Sequence, residues 1–277
     1  MNIKEKKNKN KIDYSLFNKN FTKESVYILG LLWADGHIRE EKKLTTINCS
    51  EIDINDVVSV FFKTGDWLLS KTIKKTHNNK EVKNQKRIST TTWGLFEILK
   101  DNDYLIKSYS SPNKILNLIP NELKKYWFRG YLDGDGCIKL GKKYGVEVVF
   151  SGNYEQDWCF MVDLCIELDI KFSIDKRVVE KGKYSHFRIN KKNDVKKICD
   201  YIYSEYDNLG FSRKFKKYLD VISYIKNKEN LFWCEKDVNF LKKNYKILGG
   251  KKCSELLKKD LSSVYNKIRL LKQKKEI

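Results

Sequence analysis

The chain has 277 residues and a formal net charge of +20, with 33% charged, 41% hydrophobic and 13% aromatic residues. That apolar content suffices to build cores and excludes a disordered basic tail. The longest apolar run, 26–34, is far too short for a membrane span, and the basic start MNIKEKKNKNK lacks the apolar stretch of a signal peptide. Seven cysteines with no CxxC argue against a disulfide framework and a zinc ribbon. They read as reduced thiols in a cytoplasmic protein. Three scattered histidines weaken any mechanism built on a histidine pair. The positive charge reads either as a Lys-rich surface or as the footprint of a polyanionic partner, since lysines that neutralise phosphates release counterions.

In chain order, a basic arm over 1–20 precedes Thr22, a predicted N-cap. A helix then runs to Asp35, followed by strands over 37–40 and 44–50. Next come an acidic-polar helix start at 51–56 and the apolar run 57–62. A hairpin is predicted over 67–75 and 84–91, around the polar turn 77–80, and then a helix over 92–100. Pro112 and Pro120, the only prolines, mark a linker. Beyond it Asn121 is a predicted cap for a second helix. A Gly-rich turn at 141–145, a strand over 146–151, a turn at 152–153 and a helix over 156–168 follow. The half closes with a hairpin over 171–178 and 184–190 and a helix over 194–203. The order helix, two strands, helix, two strands, helix thus occurs twice. The predicted fold class is α+β, with subdomains over 21–120 and 121–226 and a separate segment over 231–277.

The repeat has a sequence core. YILGLLWADGHI (27–38) and WFRGYLDGDGCI (127–138) align without gaps at an offset of 100 residues. Gly30 and Ala34, like Gly130 and Gly134, lie four apart and share one helix face. Small residues there let two backbones approach, and a helical Gly costs about 1 kcal/mol, so its recurrence implies a packing purpose. Asp35 and Asp135 each end a helix, where a carboxylate faces the negative end of the macrodipole. Two such acids at equivalent positions imply a compensating cation. Carboxylate oxygens suit Mg²⁺, and carboxylates sharing metal beside a phosphodiester suit metal-assisted hydrolysis.

The two nonapeptide-like segments, 28–36 and 128–136, resemble the motif of LAGLIDADG homing endonucleases, and two copies resemble the monomeric members of that family. The resemblance spans roughly 21–226. It implies a pseudo-twofold pair of αββαββα subdomains with the motif helices at the interface and two saddle-shaped antiparallel sheets astride double-stranded DNA. It further implies cleavage of both strands of a long site with divalent metal. Under it, Asp35 and Asp135 are the metal-binding acids, with the backbone of Ala34 and Gly134 as further candidates. Gly30, Ala34, Gly130 and Gly134 form the interface. Position six, Trp33 and Asp133, carries no assigned catalytic role. Lys107 and Lys214 occupy the places of a basic residue near each metal site, and would orient water or stabilise charge on the phosphate. Ser50 and Ser151 are weaker candidates for positioning water.

On the predicted strands, Arg39, Lys74, Arg87, Lys171, Arg177 and Arg188 are the candidate DNA contacts, since Arg to guanine is the commonest specific pairing. The segment 231–277 carries 13 Lys+Arg against 5 Asp+Glu. Helical patterns at 235–245, 251–257 and 261–271, broken at Gly249-Gly250, resemble a helix-turn-helix module. Its third helix, with Ser262, Asn266, Lys267 and Arg269 (and Ser263), would enter the major groove. Its expected core is Trp233, Phe240, Leu241, Leu256, Leu257, Val264, Ile268 and Leu271. The alternatives are an RNA maturase that binds intron RNA and a non-cutting DNA-binding regulator. With no terminal splicing residues, the chain is expected to be free-standing and monomeric instead of part of an intein.

Overall fold

The structure, a computed structural model, describes residues 12–71, 73–77, 80–141, 145–180, 182–229 and 233–277, with side chains at all of these except 73–77, 80–84 and 226–229. Most of the basic arm, the tips of the predicted turns at 77–80 and 141–145, the Lys74 side chain and the end of the expected linker lie outside the described residues. The chain divides into two compact units, Met1–Leu219 and Asp220–Ile277.

Unit 1 begins its repeat with α1 (Lys23–Asp35). Thr22 caps it through a reciprocal box: its hydroxyl accepts the Ser25 N–H at 3.2 Å, and Ser25 Oγ accepts the Thr22 N–H at 3.0 Å. Strands β1 (Gly36–Arg39) and β2 (Leu44–Ser50) pair antiparallel, and Ser50 caps α2 (Glu51–Phe62). The strand predicted over 67–75 is two strands, β3 (Leu68–Leu69) and β4 (Ile73–His77), both paired with β5 (Lys80–Thr90). Between them Ser70 donates its N–H to the Arg87 carbonyl at 2.9 Å. Its Oγ accepts the Arg87 N–H at 3.0 Å, so a hydroxyl replaces a ladder carbonyl and the strand breaks. Helix α3 (Trp93–Asp101) closes the half.

The predicted linker holds a short helix, α4 (Asn113–Leu118), which buries Ile115 and Leu116. Asn121 does not cap the second motif helix. It lies in a 3-10 turn, and α5 (Lys124–Asp135) starts after Leu123 with no side-chain cap. Then follow β6 (Gly136–Gly141), β7 (Gly145–Asn153), α6 (Cys159–Glu167), β8 (Ser173–Val179), β9 (Gly182–Ile189), α7 (Lys192–Tyr203) and α8 (Ser212–Glu229). The turn expected at 152–153 is strand, paired with β9 through Gly152–Ser185 and Asn153–Tyr184. Helix α8 was not predicted and runs through most of the expected linker.

The sheet orders are β1-β2-β5-β3, with β4 further along β5, and β6-β7-β9-β8. Their equivalence defines an αββαββα unit used twice. Alternation sends every second residue to one face. Ile47 opposite Ile88, Val148 opposite Ile189 and Phe150 opposite Phe187 are buried. The other faces carry the polar set.

Unit 2 contains α9 (Glu235–Leu257) and α10 (Leu261–Gln273). Gly249 (φ 73°) breaks α9 into two helices, so three helical pieces stand where three were predicted. Asp260 caps α10 by accepting the Ser262 and Ser263 N–H groups. Leu241, Cys253, Val264, Ile268 and Leu271 form its core, flanked by Trp233, Phe240 and Leu257. Leu256, expected inside, is 54% exposed. Cys253 and Leu257, one turn apart, turn the inner face of that helix away from it.

Candidate active site

The glycines of the motif helices bring α1 and α5 into backbone contact. A β-carbon on Gly30 would sit inside contact distance of the Trp127 carbonyl oxygen, and one on Gly130 would meet the Tyr27 carbonyl and lie 2.6 Å from Leu31 N. Further along, a β-carbon on Gly134 would clash with the Ala34 methyl and lie 3.2 Å from Asp35 Oδ2. The facing pairs climb in step from 27 and 130 to 34 and 134, so the helices run parallel and both C-terminal ends meet. Asp35 and Asp135 are the residues at those ends.

Both carboxyls are held above the usual Asp range. Burial raises Asp35, opposed by Lys107 and Lys214. Burial and then the charge of Asp35 raise Asp135, again against Lys107 and Lys214. Each also faces the negative end of its own helix dipole. Two carboxyls held above their usual range, one of them by the charge of the other, form at this helix end a site that a cation would relieve. Asp35 is exposed and Asp135 is half-buried.

The two lysines occupy equivalent places. Lys107 Nζ donates to the Leu32 and Ala34 carbonyls at 3.1 and 2.6 Å, the last turn of α1. Lys214 Nζ donates to the Leu132 carbonyl at 2.9 Å and to the Gly136 carbonyl, at the end of α5. Each ammonium donates to carbonyls at the negative end of its helix, where a cation is favoured. Burial holds both amines below the usual Lys range. Lys107 already engages the Ala34 carbonyl, one of the two backbone groups expected as a metal donor.

A cleft of about 350 Å³ opens beside Asp135, lined also by Trp33, Lys107, Tyr131, Ser151 and Gln156. Ser151 is exposed on it, with Oγ 3.2 Å from His186 Nδ1. Ser50 differs: it accepts the Asp53 N–H at 3.2 Å and donates to Asp53 Oδ2 at 2.8 Å, so it is tied into the α2 cap. Position six is also unequal. Trp33 packs edge-on to Tyr104 with ring centres 4.9 Å apart. Asp133, 1% exposed, accepts the Tyr27 hydroxyl and the Phe211 N–H, each at 2.8 Å. Burial pushes its carboxyl up to about 6.

The sheets arrange the expected DNA contacts on their polar faces. Register puts Arg39 and Arg87 on the face opposite Ile47 and Ile88, and Arg87 Nε donates to Asn48 Oδ1 at 3.0 Å. Arg177 and Arg188 share the corresponding face of the second sheet, engaged by Asp175 at 2.7 Å and Glu147 at 2.8 Å. Lys171 precedes β8 and is exposed. In unit 2, Ser262 is bound into the Asp260 cap. Asn266 and Arg269 are exposed on α10, and the Lys267 ammonium lies 5.9 Å from the centre of the Trp233 ring. Among the described residues, no group of three or more His, Cys, Asp or Glu side chains could hold a metal ion.

Several site residues escape sequence reasoning. Arg129, inside a motif helix and fully buried, donates to the Ile202 carbonyl at 2.9 and 2.7 Å and to the Leu209 carbonyl at 3.2 Å. A charged residue opposite the Leu29 of the first copy was the available signal. Asp53, Asp56 and Arg213 join elements about 160 residues apart, which no local pattern reports.

No protein-family model and no curated protein matches this chain. Among solved structures it is similar to the homing endonuclease I-WcaI bound to its DNA recognition sequence, at 16% identity, covering 73% of this chain and 90% of that one, TM-score 0.49. It is similar to the I-LtrWI LAGLIDADG homing endonuclease bound to target DNA, at 13% identity, covering 75% and 91%, TM-score 0.47. It is also similar to full-length DUF199/WhiA from Thermatoga maritima, at 11% identity, covering 91% of each chain, TM-score 0.45. At these identities the likeness concerns fold alone.

Proposed function

We propose that this protein is a site-specific DNA endonuclease of the LAGLIDADG type that hydrolyses both strands of a long double-stranded site. The observation that carries the reading is the meeting of Asp35 and Asp135 at the ends of two parallel glycine-packed helices, with Lys107 and Lys214 beside them. A duplicated helix end bearing two carboxylates of raised pKa has no packing purpose, whereas a divalent cation would neutralise both. The donor set is hard and oxygen-only, so it fits Mg²⁺ ions held by Asp35 and Asp135, with one centre serving each strand. Bound there, such an ion would supply a hydroxide-like nucleophile and neutralise charge on the phosphate.

The chain's own residues do the rest. The polar sheet faces, with Arg39, Arg87, Arg177 and Arg188, contact phosphates and base edges. Lys107 and Lys214 place positive charge where the phosphate gains negative charge. Ser151 in the cleft orients water. Unit 2 grips DNA through the outer side of α10, with Asn266, Lys267 and Arg269, as an appended helix-turn-helix-like module. The protein acts as a monomer, because both acids are present in one chain.

A randomised duplex library incubated with Mg²⁺ or with EDTA, followed by sequencing of the ends, tests this. Mg²⁺-dependent double-strand ends at one long motif are expected, and Asp35→Asn or Asp135→Asn lowers their yield by at least a thousandfold. Selective binding with no ends under any divalent metal would replace the reading with the RNA maturase or the non-cutting regulator.

A further inference from the structure

Three consecutive residues ahead of Lys214 are each held by a different carboxylate. Phe211 N donates to Asp133 Oδ2 at 2.8 Å. Ser212 N and Oγ both donate to Asp56 Oδ2 at 2.9 Å. The Arg213 guanidinium makes a two-point pair with Asp53, 2.5 and 3.0 Å. Asp133 comes from α5, whereas Asp53 and Asp56 come from α2 of the other half. They lie three apart, so one face of α2 presents both. Gly210, at φ +125°, lets the chain pass beside Asp133, with room for no β-carbon: one would lie 2.8 Å from Asp133 Oδ2.

The next residue is Lys214, 6% exposed, with its ammonium on the carbonyls at the end of α5. A long side chain reaches a fixed point only when its backbone is fixed. Charge-assisted and bidentate bonds are the strong way to fix it. The segment bearing Lys107 is held differently. The Tyr104 hydroxyl donates to the Leu29 carbonyl at 3.0 Å, and Gln156 Nε2 donates to the Ser110 carbonyl at 2.9 Å. Both of those contacts are neutral.

We infer that Asp53 and Asp56 of the first half are positioning residues for Lys214 of the second, so that α2 of one half places a lysine carried by the other. This rests on the proposed nuclease reading. Misplacing a reacting group by about 1 Å costs on the order of a hundredfold. Loosening the clasp therefore slows one of the two centres and leaves the other. The product is a nicked duplex instead of a proportionate loss of both cuts.

The experiment uses the full chain and a supercoiled plasmid carrying the motif recovered from the library. Lys214→Met and Lys107→Met, run with Mg²⁺, should each leave a nick, on opposite strands. Asp53→Asn and Asp56→Asn should accumulate nicked circle with the strand bias of Lys214→Met, the slow strand losing tenfold to a hundredfold. Arg213→Lys should do the same more mildly. In parallel, amide hydrogen exchange at 211–214 should quicken at least tenfold in the Asp53 and Asp56 variants, with 104–109 unchanged. Equal slowing of both strands, a bias matching Lys107→Met, or unchanged exchange at 211–214 would each overturn the positioning role. If the wild-type protein makes no Mg²⁺-dependent ends, the nuclease reading fails first. Altered exchange would then show the clasp to be purely structural.

Discussion

Replacing Gly30 with alanine tests whether the helix interface sets the site. The added methyl would point into the Trp127 carbonyl, and that atom is backbone, so no rotamer change relieves the clash. To restore van der Waals contact the helices must part by roughly 1.5 Å. Overpacking of this kind costs about 3 kcal/mol at the upper end of its usual range. Alanine gains back about 1 kcal/mol of helix propensity over glycine, leaving a net loss of about 2 kcal/mol. Asp35 lies five residues further on, roughly 7.5 Å along the axis at the α-helical rise, so the displacement reaches the carboxylates. A shift of about 1 Å there predicts on the order of a hundredfold loss of cleavage. Urea denaturation of the full chain, alongside cleavage of the recovered target, measures both. Gly182→Ala is the control: a β-carbon there meets nothing within 4 Å, though φ is +140°. It should lose about 1–3 kcal/mol from backbone strain alone, and no activity. A Gly30→Ala protein as stable and active as wild type would refute the close-packed interface as the element that places the acids.

Two further outcomes follow from the buried charges. Asp133 has its carboxyl pushed up to about 6 in the folded protein, against about 3.9 in an unfolded chain. The neutral form is therefore favoured by folding. That stabilisation is complete below about pH 4 and is lost as pH rises through 6, an effect of about 3 kcal/mol. Asp133→Asn cannot ionise, so the stability of wild type relative to this variant should fall by about that much between pH 4 and 7. A difference independent of pH would show that Asp133 titrates normally. Arg129→Lys keeps the charge but loses the fork that bridges the Ile202 and Leu209 carbonyls. It should cost about 2–4 kcal/mol, read as a lower urea midpoint, and an unchanged midpoint would show that charge alone suffices there.

Much of unit 1 was legible because its signals are repeated. The bounds of β2 match the predicted strand over 44–50, and Thr22 caps α1 as its position suggested. The glycine spacing announced a close approach before any partner was visible. What stayed hidden was set by contacts far apart in sequence. Helix α4 was masked by the two prolines around it, although Ile115 and Leu116 supply a buried edge. Helix α8 is rich in lysine, and its buried apolar residues Val221 and Ile225 make too thin a stripe to stand out. Lys107 and Lys214 were singled out through family resemblance, since nothing local separates them from the other basic residues. The break at Ser70 depends on a hydroxyl substituting for a carbonyl, which strand periodicity does not encode.

The unequal position six bears on the history of the gene. A duplication begins with two interchangeable halves, each able to pair with a copy of itself. Here the buried carboxyl of Asp133 is served by the hydroxyl of Tyr27, and the residue equivalent to Tyr27 in its own half is Trp127. Two second halves brought together would bury a pair of Asp133 carboxyls without that phenol. Two first halves would set Trp33 against Tyr27 in place of Trp127, and would lack the loop that Asp53 and Asp56 grip. The descendants have become unlike partners, each complete only beside the other. A single self-pairing half would leave position six without the partner that the other half now supplies.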